Sequence, residues 1–136
     1  MNATPEGEIP IETEGDIVVA RRTVRELASR LGFGATDVTR IVTAASELAR
    51  NVFQYAGKGK MQWRSIDTNS PPGLELDFVD QGPGIADLNL ALQEGYSTGE
   101  GLGLGLPGAK RLMDEMEVQS TPGQGTKVTV KKWRKA

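Results

Sequence analysis

The sequence predicts an α+β domain, a two-layer sandwich in which helices cover one face of a mixed, mostly antiparallel sheet. Apolar periodicity runs along the chain in the order strand, helix, helix, strands, helix, strands, which is met most economically by helices packed on one side of a single sheet. Two pairs of alternating segments are joined by Pro/Gly turns, at 69–73 and 121–125, and each pair reads as an antiparallel hairpin. The chain has 136 residues, of which 38% are hydrophobic and 17 are Gly. That is one domain's length, enough to bury about 70% of the unfolded surface.

The elements follow in order. Residues 1 to about 10 are polar and contain Pro5, Gly7 and Pro10, so residues 1–12 are expected to be a flexible terminus ahead of a domain at 13–136. Gly15 to Val19 reads as a short strand. Ala20, Val24, Leu27, Ala28 and Leu31 then recur at helical spacing until Gly32 and Gly34 end the pattern. Thr36 is expected to cap a second helix, with Asp37 in its first turn. The core stripe of that helix is Val38, Ile41, Ala45, Leu48, Ala49 and Val52, and it runs to Tyr55 before Gly57-Lys58-Gly59-Lys60 breaks it. Residues 61–66 and 74–79 alternate as strands. A short helix is expected over 86–92. Gly95 to Gly108 holds six glycines (95, 99, 101, 103, 105 and 108) and is expected to be irregular. Pro107 suits the first turn of a third long helix with the stripe Ala109, Leu112, Met113 and Met116, and Val118 with Val128 to Val130 forms the final hairpin.

Composition excludes several function classes. Sixteen Lys+Arg against 18 Asp+Glu leave a net charge of −2, without the cationic excess that drives phosphate-backbone binding, so no nucleic-acid partner is expected. Acid gathers in residues 1–16 and base in 127–136, as solvated ends would show. The absence of Cys removes disulfides and thiolate chemistry, and the absence of His removes the Ser-His-Asp triad, His-ligated zinc and any phosphorylated histidine. No apolar run approaches the roughly 20 residues of a membrane span, and the acidic start is no secretory leader, so the chain reads as cytoplasmic.

Gly103, Gly105 and Gly108 fit G-x-G-x-x-G literally. However, no strand immediately precedes them and no acid follows at the distance a dinucleotide site requires. The pattern G-x-x-x-x-G-K-[ST] is absent. A helix beginning near 106–109 behind a glycine hinge still offers backbone N–H groups to an anion. Glu47 and Asn51 lie four apart on the second helix and project from one face beside the apolar stripe, a carboxylate base next to an amide oxygen that suits a hard cation. Asp80 ends an apolar strand just before Gly82 and Gly84, where backbone can approach a flat ligand closely. Taken singly, each of these is also an ordinary solvated face or turn.

Together they carry more. Glu47-Leu48-Ala49-Arg50-Asn51, Asp80-Gln81-Gly82-Pro83-Gly84-Ile85, Gly101-Leu102-Gly103-Leu104-Gly105-Leu106 and Gly125-Thr126 occur in the order and approximate spacing of the N, G1, G2 and G3 boxes of the GHKL ATPase superfamily. The resemblance covers about 16 to 133 and is closest to the small serine kinases of bacterial partner-switching systems, those of the stressosome above all. It implies the Bergerat-type fold and ATP with Mg²⁺ as cofactors. It also implies that Asp80 accepts from the adenine amino group, that Gly82 and Gly84 shape the pocket and that Thr126 supports the adenine side. Asn51 would hold Mg²⁺, Glu47 would orient or deprotonate the attacking hydroxyl, and residues 95–108, with Gly101, Gly103, Gly105 and Leu106, would form a lid over the phosphates that is expected to move without nucleotide. The implied partners are STAS-domain scaffold and antagonist proteins, which carry the acceptor Ser or Thr, and a PP2C-type phosphatase activated by the released kinase. Many members have a basic residue where this chain has Gln54, which leaves phosphate neutralisation to Lys58, Lys60 or Lys110. The alternatives are an anti-sigma factor kinase that binds a sigma factor directly, and a nucleotide-gated binding module without transfer activity.

Overall fold

The computed structural model describes residues 6–66, 72–82, 105–121 and 123–134. The elements are β1 (Glu6–Ile11), α1 (Glu14–Arg30), α2 (Ala35–Ala56), β2 (Gly59–Ile66), β3 (Gly73–Asp80), α3 (Gly105–Leu112), β4 (Glu115–Thr121) and β5 (Gly125–Trp133). The strands form one sheet in the order β1-β2-β3-β5-β4, and each neighbouring pair is antiparallel. The expected α+β sandwich is therefore present, with both hairpins paired as the turns predicted. The helix expected over 86–92, most of the glycine-rich stretch, and Gly84, Gly101 and Gly103 lie outside the described residues.

The element order agrees with the sequence reading although its first strand is a different segment. Gly15 to Val19 is not a strand but the start of α1. Thr13 Oγ1 accepts the Asp16 N–H at 3.2 Å, while Asp16 Oδ2 accepts the N–H groups of Glu12 and Thr13 at 2.9 and 3.1 Å, a reciprocal capping box. The β-branched run Ile17-Val18-Val19 misleads. Only Ile17 is buried, on one helical face with Ala20, Val24, Leu27 and Ala28, whereas Val18 and Val19 are 47% and 41% exposed. The first strand lies instead at Glu6–Ile11, inside the segment expected to fray, where it pairs with β2 and buries Ile11 completely.

α2 is the central helix, packed by α1 on one side and α3 on the other while its underside meets the sheet. Its expected stripe is buried throughout, and the small residues Ala44, Ala45 and Ala49 let neighbouring elements approach closely. It starts two residues earlier than expected: Gly34 is the N-cap, no side chain caps the helix, and Thr36 falls inside the first turn. The third helix is short, not long. It takes in Gly105 and Gly108, part of the stretch expected to be irregular, and stops at Leu112, because the chain turns into β4 with Glu115 opposite Lys131. Met113 is buried and Met116 packs against the core, but both do so from beyond the helix.

Strand register arranges the helix-covered face in rows. Ile9, Met61, Phe78, Val128 and Val118 form one row, and Trp63, Leu76, Val130 and Met116 another. To one side of these lies a row with Ser65, Leu74 and Lys132; to the other lies a row with Ile11, Gly59, Asp80, Thr126 and Ser120. The opposite face is charged, with Arg64 bound to Glu75 at 3.1 Å and Lys60 near Glu8 at 3.8 Å.

Candidate active site

α2 crosses the covered face from one polar row to the other. Asp37, near its start, lies 3.9 Å from Lys132, and Ala56, its last residue, lies against Gly82 just beyond Asp80. At about 1.5 Å per residue, Glu47 and Asn51 therefore sit on the half of the helix that approaches the Asp80 row.

Asp80 ends β3, half-buried, and its Oδ1 accepts the Gly82 N–H at 2.9 Å, which fixes the carboxylate at the strand end. Two glycines make this geometry. A Cβ on Gly82 would come within 2.6 Å of the Ala56 side chain. Gly125 has φ +106, and a Cβ there would overlap the Asp80 carbonyl oxygen. Strand β5 thus lies hard against the backbone that carries Asp80, which faces Thr126 directly. Thr126 Oγ1 lies 3.0 Å from Ser120 Oγ, and Ser120 Oγ also donates to the Gly125 carbonyl at 3.2 Å.

Glu47 and Asn51 are both half-buried at the margin of the buried stripe, as their spacing predicted. The Glu47 carboxylate, 22% exposed, accepts at Oε2 from Arg50 Nη1 at 3.1 Å. Sequence reasoning gave Arg50 no role, although its i, i+3 spacing from Glu47 was the signal that could have found it. Gly105 opens α3, which packs on α2, and the Leu106 side chain is in the core, so any contact from Leu106 to a ligand is through its backbone. Of the lysines left as alternatives, Lys60 belongs to the charged outer face, while Lys58 and Lys110 are exposed; Gln54 is exposed as well.

Among the described residues, no three acidic side chains gather as a metal cage. The donor set fits magnesium in its usual nucleotide-bound form, in which phosphates and water supply most ligands and the protein one or two oxygens. Asn51 can supply one. At the end of β3 the missing Cβ atoms of Gly82 and Gly125 make room for Ala56 and for the Asp80 carbonyl, so these glycines hold the Asp80 carboxylate in place. Among the described residues, no helix is long and apolar enough to cross a membrane.

The chain matches the histidine kinase-like ATPase domain family over residues 9–132. It is 49% identical over 125 residues to the serine/threonine-protein kinase RsbT of Bacillus subtilis, which covers 92% of this chain and 94% of that one. It is 32% identical over 118 residues to the anti-sigma F factor of Thermoanaerobacter pseudethanolicus, covering 84% and 82% of the two chains. Among solved structures, the RsbU and RsbW domains of a Mycobacterium tuberculosis protein superpose with a TM-score of 0.67 at 20% identity, over 98% of this chain and 34% of that one. The mycobacterial sensor histidine kinase MprB superposes with a TM-score of 0.57 at 18% identity, over 97% of this chain and all of that one. These structures share the fold, and a family match that begins in β1 and ends in β5 makes the chain a member of the histidine kinase-like ATPase domain family, whose members use a nucleotide.

Proposed function

We propose that this chain is an ATP-dependent protein serine/threonine kinase of a bacterial partner-switching stress-response pathway, acting in the cytoplasm on a Ser or Thr of STAS-domain scaffold and antagonist proteins. The observation that carries the proposal is 49% identity to a serine/threonine-protein kinase across almost the whole of both chains. A carboxylate and an amide on the α2 face that approaches Asp80 support it.

In this reading Asp80 accepts from the adenine amino group, Gly82 and Gly84 shape the pocket, and Thr126 supports the adenine side. The phosphates extend toward the lid, residues 95–108, which takes in the first backbone N–H groups of α3 at Gly105 and Leu106, where a helix N-terminus favours negative charge. When bound, magnesium would offset phosphate charge, and Asn51 is the residue that would hold it. Glu47 accepts the proton of the acceptor hydroxyl. The hydroxyl oxygen bonds to the γ-phosphorus, the bond from that phosphorus to the β–γ bridging oxygen breaks, and ADP leaves with the bridging oxygen. Arg50 holds the Glu47 carboxylate in one orientation. After release from its STAS partners, the kinase binds and activates a PP2C-type phosphatase.

The test is transfer of labelled phosphate from ATP, with Mg²⁺, to a STAS-domain protein of the same genome. Loss of transfer in both Glu47→Ala and Asn51→Ala, with ATP still bound by Glu47→Ala, supports the assignment. Wild type that binds ATP and labels no partner overturns it in favour of a nucleotide-gated binding module. A second reading is favoured by the several relatives that are anti-sigma F factors, at 30–33% identity. Co-purification of a sigma factor instead of a phosphatase would select it.

A further inference from the structure

One proton order satisfies both contacts of the hydroxyl pair at the end of the β4–β5 hairpin. Ser120 and Thr126 are directly opposed across the two strands. Ser120 Oγ donates to the Gly125 carbonyl at 3.2 Å and lies 3.0 Å from Thr126 Oγ1. A hydroxyl has one proton and a carbonyl has none to give. With the Ser120 proton committed to Gly125, the bond between the hydroxyls is donated by Thr126. The Thr126 oxygen then has only acceptor capacity left.

Thr126 faces Asp80 across β3 and β5, and side chains so opposed have Cβ atoms about 5 Å apart. Asp80, when ionised, is also acceptor-only. Two acceptors with no donor between them among the described residues suit a group carrying two N–H bonds on one atom. An exocyclic amino group is such a group, and a ring carbonyl is the opposite.

We propose that Ser120 is a positioning residue that turns the Thr126 hydroxyl into a pure acceptor, so that Thr126 and Asp80 together select a purine with an amino group over one with a carbonyl at the same ring position. The inference rests on the nucleotide reading of this site. It adds Ser120, which is outside the four sequence boxes, as a determinant of base choice. Removing the Ser120 hydroxyl releases the Thr126 proton, which can then be donated to a carbonyl.

The experiment is calorimetric titration of wild type, Ser120→Ala and Ser120→Thr with ATP and with inosine triphosphate, in which a carbonyl replaces the amino group, together with a thermal melt of each protein. Wild type is expected to prefer ATP. In Ser120→Ala the ratio of the two affinities should fall about three- to tenfold, mainly because the inosine nucleotide binds more tightly, and Ser120→Thr should restore it. A merely structural role would weaken both nucleotides together and leave the ratio unchanged, which overturns the proposal. A wild type that binds neither nucleotide overturns the nucleotide reading as well. Wild type that prefers ATP beside a Ser120→Ala ratio equal to its own overturns the Ser120 inference alone.

Discussion

At the Leu74 end of the helix-covered face, the last row holds Lys132, whose side chain is 5% exposed. Its ammonium donates to the Leu112 carbonyl at the end of α3 at 2.9 Å and lies 3.6 Å from Asp114 and 3.9 Å from Asp37. Every partner comes from the chain itself, so that end is closed. At the Asp80 end the same face finishes in a carboxylate, two hydroxyls and glycine backbone, none of them cationic. The same α2 helix spans both. The first end is an anchor, because the low-dielectric interior penalises an unpaired buried charge and Lys132 is paired there. The second, where Asp80 is held by the Gly82 N–H, is the end to which the proposed function assigns the nucleotide.

The contrast is sharpest in rate at Glu47. Glu47→Ala should lower phosphate transfer about 10²- to 10⁴-fold while leaving the unfolding midpoint near that of wild type, as read by labelled transfer and a denaturant titration. At the closed end, Lys132→Met should cost about 3 kcal/mol of stability, because Asp37 keeps its buried carboxylate without the ammonium, with Arg40 alone still bound to it at 3.0 Å. If urea unfolding of that variant matches wild type, the anchor is not one. Asp80→Asn keeps an oxygen for the Gly82 N–H but removes the charge. It should weaken ATP binding about 10- to 100-fold by calorimetry with a small change in stability, the reverse of Lys132→Met. Arg50→Ala should act least on the fold, by under about 1 kcal/mol, since its ion pair with Glu47 is half exposed. Its effect on kcat should be a few-fold and should not extend to ATP affinity. Equal losses in both would give Arg50 a nucleotide contact instead of the orienting role.

Much of this was legible in the linear chain, and the failures have identifiable causes. The α2 stripe from Val38 to Val52 and the two hairpins follow from periodicity and turn chemistry alone, and each is found as expected. The first strand was missed because Glu6–Ile11 is polar on its outer face and gains its order from pairing with β2, a contact about 50 residues away. The β-branched Ile17-Val18-Val19 outweighed a capping box spelled out by Thr13 and Asp16, although the box won in the fold. α3 ends early because β5 captures residues 115 and 116 as a strand, a tertiary demand that no helical periodicity through Met113 and Met116 could announce. At the candidate site, spacing and box order single out Glu47, Asn51, Asp80 and Thr126 as the residues to test. The Ser120–Thr126 pair and the buried Lys132 were not legible, since each depends on which strand lies beside which.

The sequence by itself determined the helix faces, the hairpins, the absence of thiol and imidazole chemistry, and the family, because these depend on residue type and short-range spacing. The tertiary structure alone decided that α2 spans two unlike polar rows, that Lys60 points away on the charged face while Lys132 is buried, and that Gly125 presses β5 against the backbone of Asp80. Strand order and register decide these placements: a one-residue change of pairing exchanges the two faces of a sheet, and that choice is made by long-range burial.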